Sequence, residues 1–407
     1  MICRHCETPL NHNFIDLGFQ PHSNAYLSKS DLSKAEITYP LRVMVCDQCW
    51  LVQTEDYTAA GEVFTKDYAY FSSTSKGWVS HAKLYCEKVI GRFNLNASSQ
   101  IIEIASNDGY LLKNFVAAKI PCFGIEPTDS TADAAEKIGV PTIRQFFGTD
   151  LARFLLSEGS SADLIIGNNV FAHVPDINDF AKGLEITLKP EGVITLEFPH
   201  LMKLVELAQF DTIYHEHFSY LSLLAVTKVF EKSGLRIFDI DELPTHGGSI
   251  RIYACKIEAN HAESNAVQAM IEMEKALGMD KMSFYQDIQS RAEKIKNSLI
   301  KFLIEMKDGG KSVSAYGAAA KGNTILNFAG IKPDLLPSVY DAAKAKQGKF
   351  MPGSHIPIYN PRALRQNRPD YILILPWNIT AEIKRDLSDL AEKGTKFVTV
   401  VPKLEIF

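Results

Sequence analysis

Residues 212–220 read Thr-Ile-Tyr-His-Glu-His-Phe-Ser-Tyr, which crowds two imidazoles, a carboxylate and two phenols into one short segment. Imidazole is the side chain that exchanges protons near neutral pH, and a carboxylate or phenol beside it can orient it or stabilise a developing negative oxygen. The segment therefore reads as a proton-transfer site. In a strand, His215 and His217 would share one face while Tyr214 and Glu216 took the other; in a loop that constraint disappears. Spacing alone does not separate His215 from His217. The competing reading is a polar loop that contacts solvent or a domain interface.

A second group of reactive residues lies at the N-terminus. Cys3-Arg4-His5-Cys6 and Cys46-Asp47-Gln48-Cys49 each offer two thiolates from one tight turn, and two such turns can close a tetrahedron around Zn2+. Four thiolates complete the shell, so the metal expected here is structural, held by Cys3, Cys6, Cys46 and Cys49. His5 is then expected as a surface residue of its turn. The stretch between the pairs, punctuated by Pro21, Asn24 and Pro40, is expected as an inserted loop. The alternatives are a redox dithiol or coincidence.

The elements that must position these groups follow from the apolar pattern. A helix is expected over 78–90, strands over 101–104 and 122–125, helices over 110–119 and 132–139, and further strands over 164–167 and 193–198. Strands alternating with helices imply a parallel sheet covered on both faces. Ligands of such sheets bind beyond the carboxyl ends of the strands. There the loop Glu103-Ile104-Ala105-Ser106-Asn107-Asp108-Gly109 has one glycine and an acidic start, without the GxGxxG of a dinucleotide site. Small residues such as Ala105 and Gly109 would permit close approach, and the acidic character suits a cation without phosphates, such as the sulfonium and amino-acid part of S-adenosylmethionine. Glu126 could accept ribose hydroxyls, Phe146 could border the adenine, and Asn168 ends the fourth strand.

Residues 263–307 read as one or two long helices. A second strand-helix series follows, with strands expected over 313–317, 336–341, 371–375 and 397–401. Its first loop, Gly317-Ala318-Ala319-Ala320-Lys321-Gly322-Asn323, opens a helix whose amides, with Lys321, could receive a diphosphate. Asp341 and Trp377 end later strands, and an indole can stack on a base. A net charge of -5 argues against a nucleic-acid partner. No signal-peptide pattern or run of eighteen apolar residues occurs, so a cytoplasmic protein without a membrane partner is expected. His81, His200, His261 and His355 are expected as surface or satisfied core residues.

The paired CxxC, the Glu-Ile-Ala-Ser-Asn-Asp-Gly-Tyr loop, Asn168-Asn169-Val170-Phe171-Ala172-His173-Val174, the Tyr-His-Glu-His block and Thr245-His246-Gly247-Gly248-Ser249-Ile250-Arg251 together resemble the S-adenosylmethionine-dependent C-methyltransferases of nucleotide-linked deoxysugars. The resemblance spans nearly the whole chain. It implies an α/β protein with a small N-terminal zinc-binding module (1–66), a central class I, Rossmann-like methyltransferase domain (67–258) and a second Rossmann-like α/β domain (259–407) that helps hold a sugar nucleotide.

By this resemblance His217 matches the general base, with Glu216 beside it. Tyr214 and Tyr68 match phenols near the sugar, and His173 a histidine facing it. Glu103, Ala105, Asn107, Gly109, Glu126, Phe146 and Asn168 are expected at the cofactor. Asn169, His246, Ser249, Arg251, Lys321, Asn323, Asp341 and Trp377 are expected at an NDP-4-keto-deoxyhexose, methylated next to the ketone, at C3 in preference to C5. A three-domain chain can complete its site alone, so a monomer is expected. The rival functions are a zinc-ribbon RNA or protein methyltransferase, against which the acidic charge counts; an NAD-dependent oxidoreductase; and a non-enzymatic scaffold, which would leave Tyr-His-Glu-His unexplained.

Overall fold

The computed structural model describes residues 1–57 and 71–407. Three sheets organise them. The first is antiparallel and four-stranded, in the order His12–Gln20, Tyr39–Val45, Val52–Thr54, Ser219–Tyr220. A long strand thus replaces the inserted loop expected between the cysteine pairs. Its pairing slips between Asn13 and Ile15 and again between Asp16 and Phe19. Such bulges break the two-residue alternation by which a strand is recognised. Phe14, Ile15 and Leu17 nevertheless reach the core.

The central sheet has seven strands, in the order Leu235–Leu243, Ser249–Lys256, Leu188–Pro199, Ala162–Asn168, Ile101–Ile104, Cys122–Ile125, Thr142–Ile143. The last five run parallel. The first two form an antiparallel hairpin against Leu188–Pro199, so the sheet is mixed rather than wholly parallel. Side chains alternate across it. Ile101, Leu164 and Ile166 pack with Tyr85 and Val89 of the helix Lys76–Arg92. Ile102, Ile104 and Ile165 join Leu151, Phe180 and Leu184 from the helices Thr149–Ser157 and Ile177–Thr187 on the other face.

The region of long helices resolves into Asn265–Ala276 and Ile288–Asp308. Glu274, fully buried, accepts the amides of Leu223 and Leu224 at 2.7 and 2.8 Å, at the start of the helix Leu223–Ser233, and pairs with His200 at 2.6 Å. A carboxylate at a helix N-terminus satisfies donors that have no partner within the helix. It fastens this connecting region to the central sheet. The third sheet has six strands, in the order Ile358–Tyr359, Val339–Tyr340, Val313–Tyr316, Tyr371–Ile374, Lys396–Thr399, Glu405–Ile406, parallel except for the last. No helix among the described residues is long and apolar enough to cross a membrane.

Candidate active site

The carboxyl ends of the central strands, the turn 213–218 and the start of the helix Ala320–Phe328 enclose a cavity of about 500 Å3. His217 and His173 meet inside it, with ring centroids 4.7 Å apart in an edge-to-face arrangement. Each gives its Nδ1 proton to a backbone carbonyl, His217 to Thr212 at 2.8 Å and His173 to Glu216 at 2.7 Å. A carbonyl can only accept, so both neutral rings keep their lone pair on Nε2. Burial favours that neutral form: it lowers the His173 pKa to about 4 and that of His217 well below its ordinary value, with the neighbouring His173 adding to the latter. The Tyr214 ring lies against His217, centroids 4.0 Å apart.

The turn also separates the two histidines that spacing left equivalent. His215 points away from the cavity, toward His22 and Tyr39, and its Nε2 donates to the Pro40 carbonyl at 3.1 Å. Glu216 does face the cavity, and its Oε1 accepts a proton from Asn24 Nδ2 at 2.6 Å. Tyr68 lies outside the described residues.

Of the residues expected at the cofactor, Ala105, Asn107, Glu126, Phe146 and Asn168 line the cavity. Glu126 is fixed by the amides of Asn107 and Thr128, both at 2.9 Å. Phe147 stands beside Phe146 and packs edge-on to Phe180. Glu103 does not reach the cavity wall. It is buried beneath the loop, its Oε2 unpartnered, and burial together with Asp108 and Glu126 raises its pKa. Gly109 likewise does not line the cavity. At φ +74° its missing Cβ would lie 3.1 Å from Val140 and 3.2 Å from Ala135, so packing against the helix Asp129–Lys137 by itself demands glycine here.

Both amide atoms of Asn168 are buried without a partner among the described residues, as are one oxygen each of Glu103 and Asp108. The Glu126 carboxylate and the unpartnered Asn168 amide in a partly aromatic wall fit a cationic adenosyl ligand without phosphates.

The expected substrate residues divide. Asn169, His246 and Lys321 line the cavity, with Asn169 Nδ2 3.0 Å from His246 Nε2. Burial brings the His246 pKa down to about 4. Lys321 donates to Asn378 Oδ1 at 2.8 Å and lies over the Trp377 ring, 4.6 Å from its centroid. The other five do not line it. Ser249 donates its hydroxyl proton to the Thr245 carbonyl, and Arg251 is committed to a buried ion pair with Glu197, to which His81 adds a contact at 2.8 Å. Asn323 donates to the Ser23 carbonyl, and Asp341 accepts the Ala318 amide at 2.7 Å. Trp377 gives its indole proton to Asp211 at 2.7 Å, which leaves it supporting Lys321 from behind. Burial pushes the Asp211 carboxyl up to about 6, against the opposing pull of Lys321 and Trp377.

Asn24 and Lys346 are among the cavity residues that escaped the sequence reading. Asn24 looked only like loop punctuation, and Lys346 sits in a lysine-alanine stretch with no motif; both line the cavity. Lys346 Nζ donates to the Ala318 carbonyl at 2.7 Å.

The four N-terminal cysteines come together, with all four Sγ atoms within 4.8 Å of one another. The two turns repeat each other's hydrogen bonds. Cys3 O accepts the Glu7 amide and Cys46 O the Trp50 amide, each at 3.0 Å, and Glu7 and Trp50 both take positive φ. Gln53 Nε2 donates toward Cys3 Sγ at 3.2 Å, which suits a thiolate. This donor set fits tetrahedral Zn2+ with no position left for substrate. His5 is not on the surface: it is 5 % exposed and its Nδ1 lies 2.8 Å from Asn178 Oδ1, docking the first turn on the helix Ile177–Thr187.

Comparison with known proteins gives consistent matches along the chain. Residues 3–64 match a zinc binding domain, 78–240 a methyltransferase domain, and 244–402 a C-methyltransferase C-terminal domain. The chain is 32% identical over 401 residues to C-methyltransferase NovU of Streptomyces niveus, an alignment covering 98% of this chain and 95% of that one. Among solved structures, magnesium protoporphyrin IX methyltransferase of Synechocystis with bound SAH is 15% identical, over 44% of this chain and 84% of its own, with a TM-score of 0.36. An S-adenosylmethionine-dependent methyltransferase of Clostridium acetobutylicum is 14% identical over 43% and 90%, with a TM-score of 0.35. Likeness at that level carries no weight for the chemistry.

Proposed function

The chain belongs to the S-adenosylmethionine-dependent C-methyltransferases, and from that premise we propose that it methylates a nucleotide-linked 4-keto-deoxyhexose at the carbon next to the ketone, C3 in preference to C5. One observation carries the reading: two half-buried imidazoles share a cavity, and each spends its Nδ1 proton on a backbone carbonyl, which leaves Nε2 as its basic atom. A site built to alkylate an oxygen or amine that is already nucleophilic has no need of them. A C–H beside a carbonyl is too weak an acid to ionise unaided at neutral pH, and it does need a desolvated base.

His217 Nε2 takes the proton from that carbon, and the C–H electron pair passes into the enolate. Donors near the ketone, Tyr214 among them, stabilise the enolate oxygen. His173 stands beside His217, where a proton can be shared. S-adenosylmethionine, when bound, supplies an electrophilic methyl group and departs as a neutral thioether. Ala105, Asn107, Glu126, Phe146 and Asn168, which line the cavity at the strand ends, would hold it there in line with the carbon. Lys321 and Lys346 supply positive charge at the opposite wall, where the helix Ala320–Phe328 begins, and are assigned to the diphosphate. Burial lowers the pKa of both lysines, and an anion between them would restore their charge. Zinc takes no part in the chemical step.

The test is incubation with methyl-labelled donor and a panel of NDP-4-ketohexoses, followed by NMR of the product. The expected product carries a new C–CH3 bond at C3, and deuterium at that carbon washes out during turnover. Label on oxygen or nitrogen would overturn the proposal.

A further inference from the structure

The zinc-bearing sheet reaches into the catalytic turn. Its fourth strand is Ser219–Tyr220, the two residues that follow His217 and Phe218, paired with Val52 and Gln53. Each of the three residues before Phe218 is then gripped by a different piece of the same sheet region. His215 Nε2 donates to the Pro40 carbonyl at 3.1 Å, Glu216 accepts from Asn24 Nδ2 at 2.6 Å, and the His217 carbonyl accepts the Thr54 hydroxyl proton at 3.0 Å. Thr54 N also donates to the Phe218 carbonyl at 3.2 Å.

The grip is continuous with the metal site. Gln53, fully buried, spends both ends of its amide on the first cysteine turn: Nε2 donates toward Cys3 Sγ at 3.2 Å, and Oε1 accepts the Arg4 amide at 2.9 Å. Arg4 Nη2 in turn donates to the Thr54 carbonyl at 3.0 Å. The path from a zinc thiolate to the backbone of His217 is therefore two adjacent residues, Gln53 and Thr54.

We infer that Thr54 and Asn24 are positioning residues for the methyl-transfer reaction, through which the zinc-bearing sheet sets the place of His217 and Glu216 in the cavity. The turn 213–218 has no regular structure of its own, and a loop holds side chains less exactly than a strand or helix does. Tethers from a metal-knotted sheet replace that rigidity. Thr54 does not line the cavity, so its influence runs through the backbone of His217 and Phe218. The inference rests on the reading of His217 as the base.

The test uses the full-length, zinc-loaded enzyme and the variants Thr54→Val, Thr54→Ser, Asn24→Ala and His217→Asn. Thr54→Val keeps the shape and loses the donor; Thr54→Ser keeps the donor. With zinc content and S-adenosylmethionine affinity unchanged, Thr54→Val should lower kcat about tenfold with KM within about twofold, and Thr54→Ser should restore it. Amide hydrogen exchange in the turn, measured without substrate, should quicken in Thr54→Val. Asn24→Ala should lower kcat in the same direction and serves if Thr54→Val does not fold. Wild-type kcat and exchange in Thr54→Val, or equal defects in the valine and serine variants, would overturn the inference. Full turnover in His217→Asn would instead sink the base assignment, while the exchange result would still report on the tether.

Discussion

At the scale of single residues, the decisive quantity is desolvation. An imidazole in water is half protonated near pH 6.5. Inside the cavity burial disfavours the imidazolium forms of His173, His217 and His246 and lowers the pKa of each. Replacing His217 by Asn should reduce kcat by about 100-fold or more while S-adenosylmethionine still binds, as calorimetry and single-turnover assays would register. The acid limb of the kcat profile should lie below pH 6.5, since a base whose pKa is depressed stays unprotonated there. A limb at or above 6.5 would mean that burial is not what governs this group. Of this the sequence displayed the histidines and, by family resemblance, a choice between His215 and His217. It could not display the cause, because the rings face opposite ways only once the Pro40 carbonyl arrives from a distant part of the chain to take His215, while His217 turns back on the nearby Thr212 carbonyl.

At the scale of elements, several residues that looked like ligand contacts turn out to hold strands and helices together. Arg251 and Glu197 face each other across neighbouring antiparallel strands in the correct register, and both are almost wholly buried. Arg251→Met would leave Glu197 charged and without its main partner, and should destabilise the fold by about 3–5 kcal/mol in urea titrations. Glu197→Leu combined with Arg251→Met should recover much of the loss, because a paired buried charge is costly to break but not to replace. Gly109→Ala should cost about 1–3 kcal/mol, from positive φ and the contacts with Ala135 and Val140, while barely changing S-adenosylmethionine affinity in the folded fraction. A large change in affinity with unchanged stability would return Gly109 to the ligand. Periodicity was a good guide to the central strands, with Ile101–Ile104 and Cys122–Ile125 falling where expected. It failed in His12–Gln20, where bulges disturb the alternation.

At the scale of the whole molecule, the cavity draws on every layer: Asn24 from the zinc-bearing region, His173 and Glu126 from the central sheet's strand ends, and Lys321 and Lys346 from the third. Removing the metal should therefore register in two places. Chelation should release about one Zn2+ per chain and lower Tm, and Cys46→Ser should do the same without chelator, since structural zinc contributes folding free energy directly. Unchanged Tm after complete zinc loss would refute a structural role. The sequence by itself determined the chemistry-bearing groups, the metal ligands and the α/β class, because those follow from residue type, short spacing and apolar period, all of which are local. Only the tertiary structure decided which of those groups share a solvent-poor space, since that depends on hydrogen bonds between residues such as Asn24 and Glu216 that lie far apart in the chain, and no local pattern encodes such a meeting.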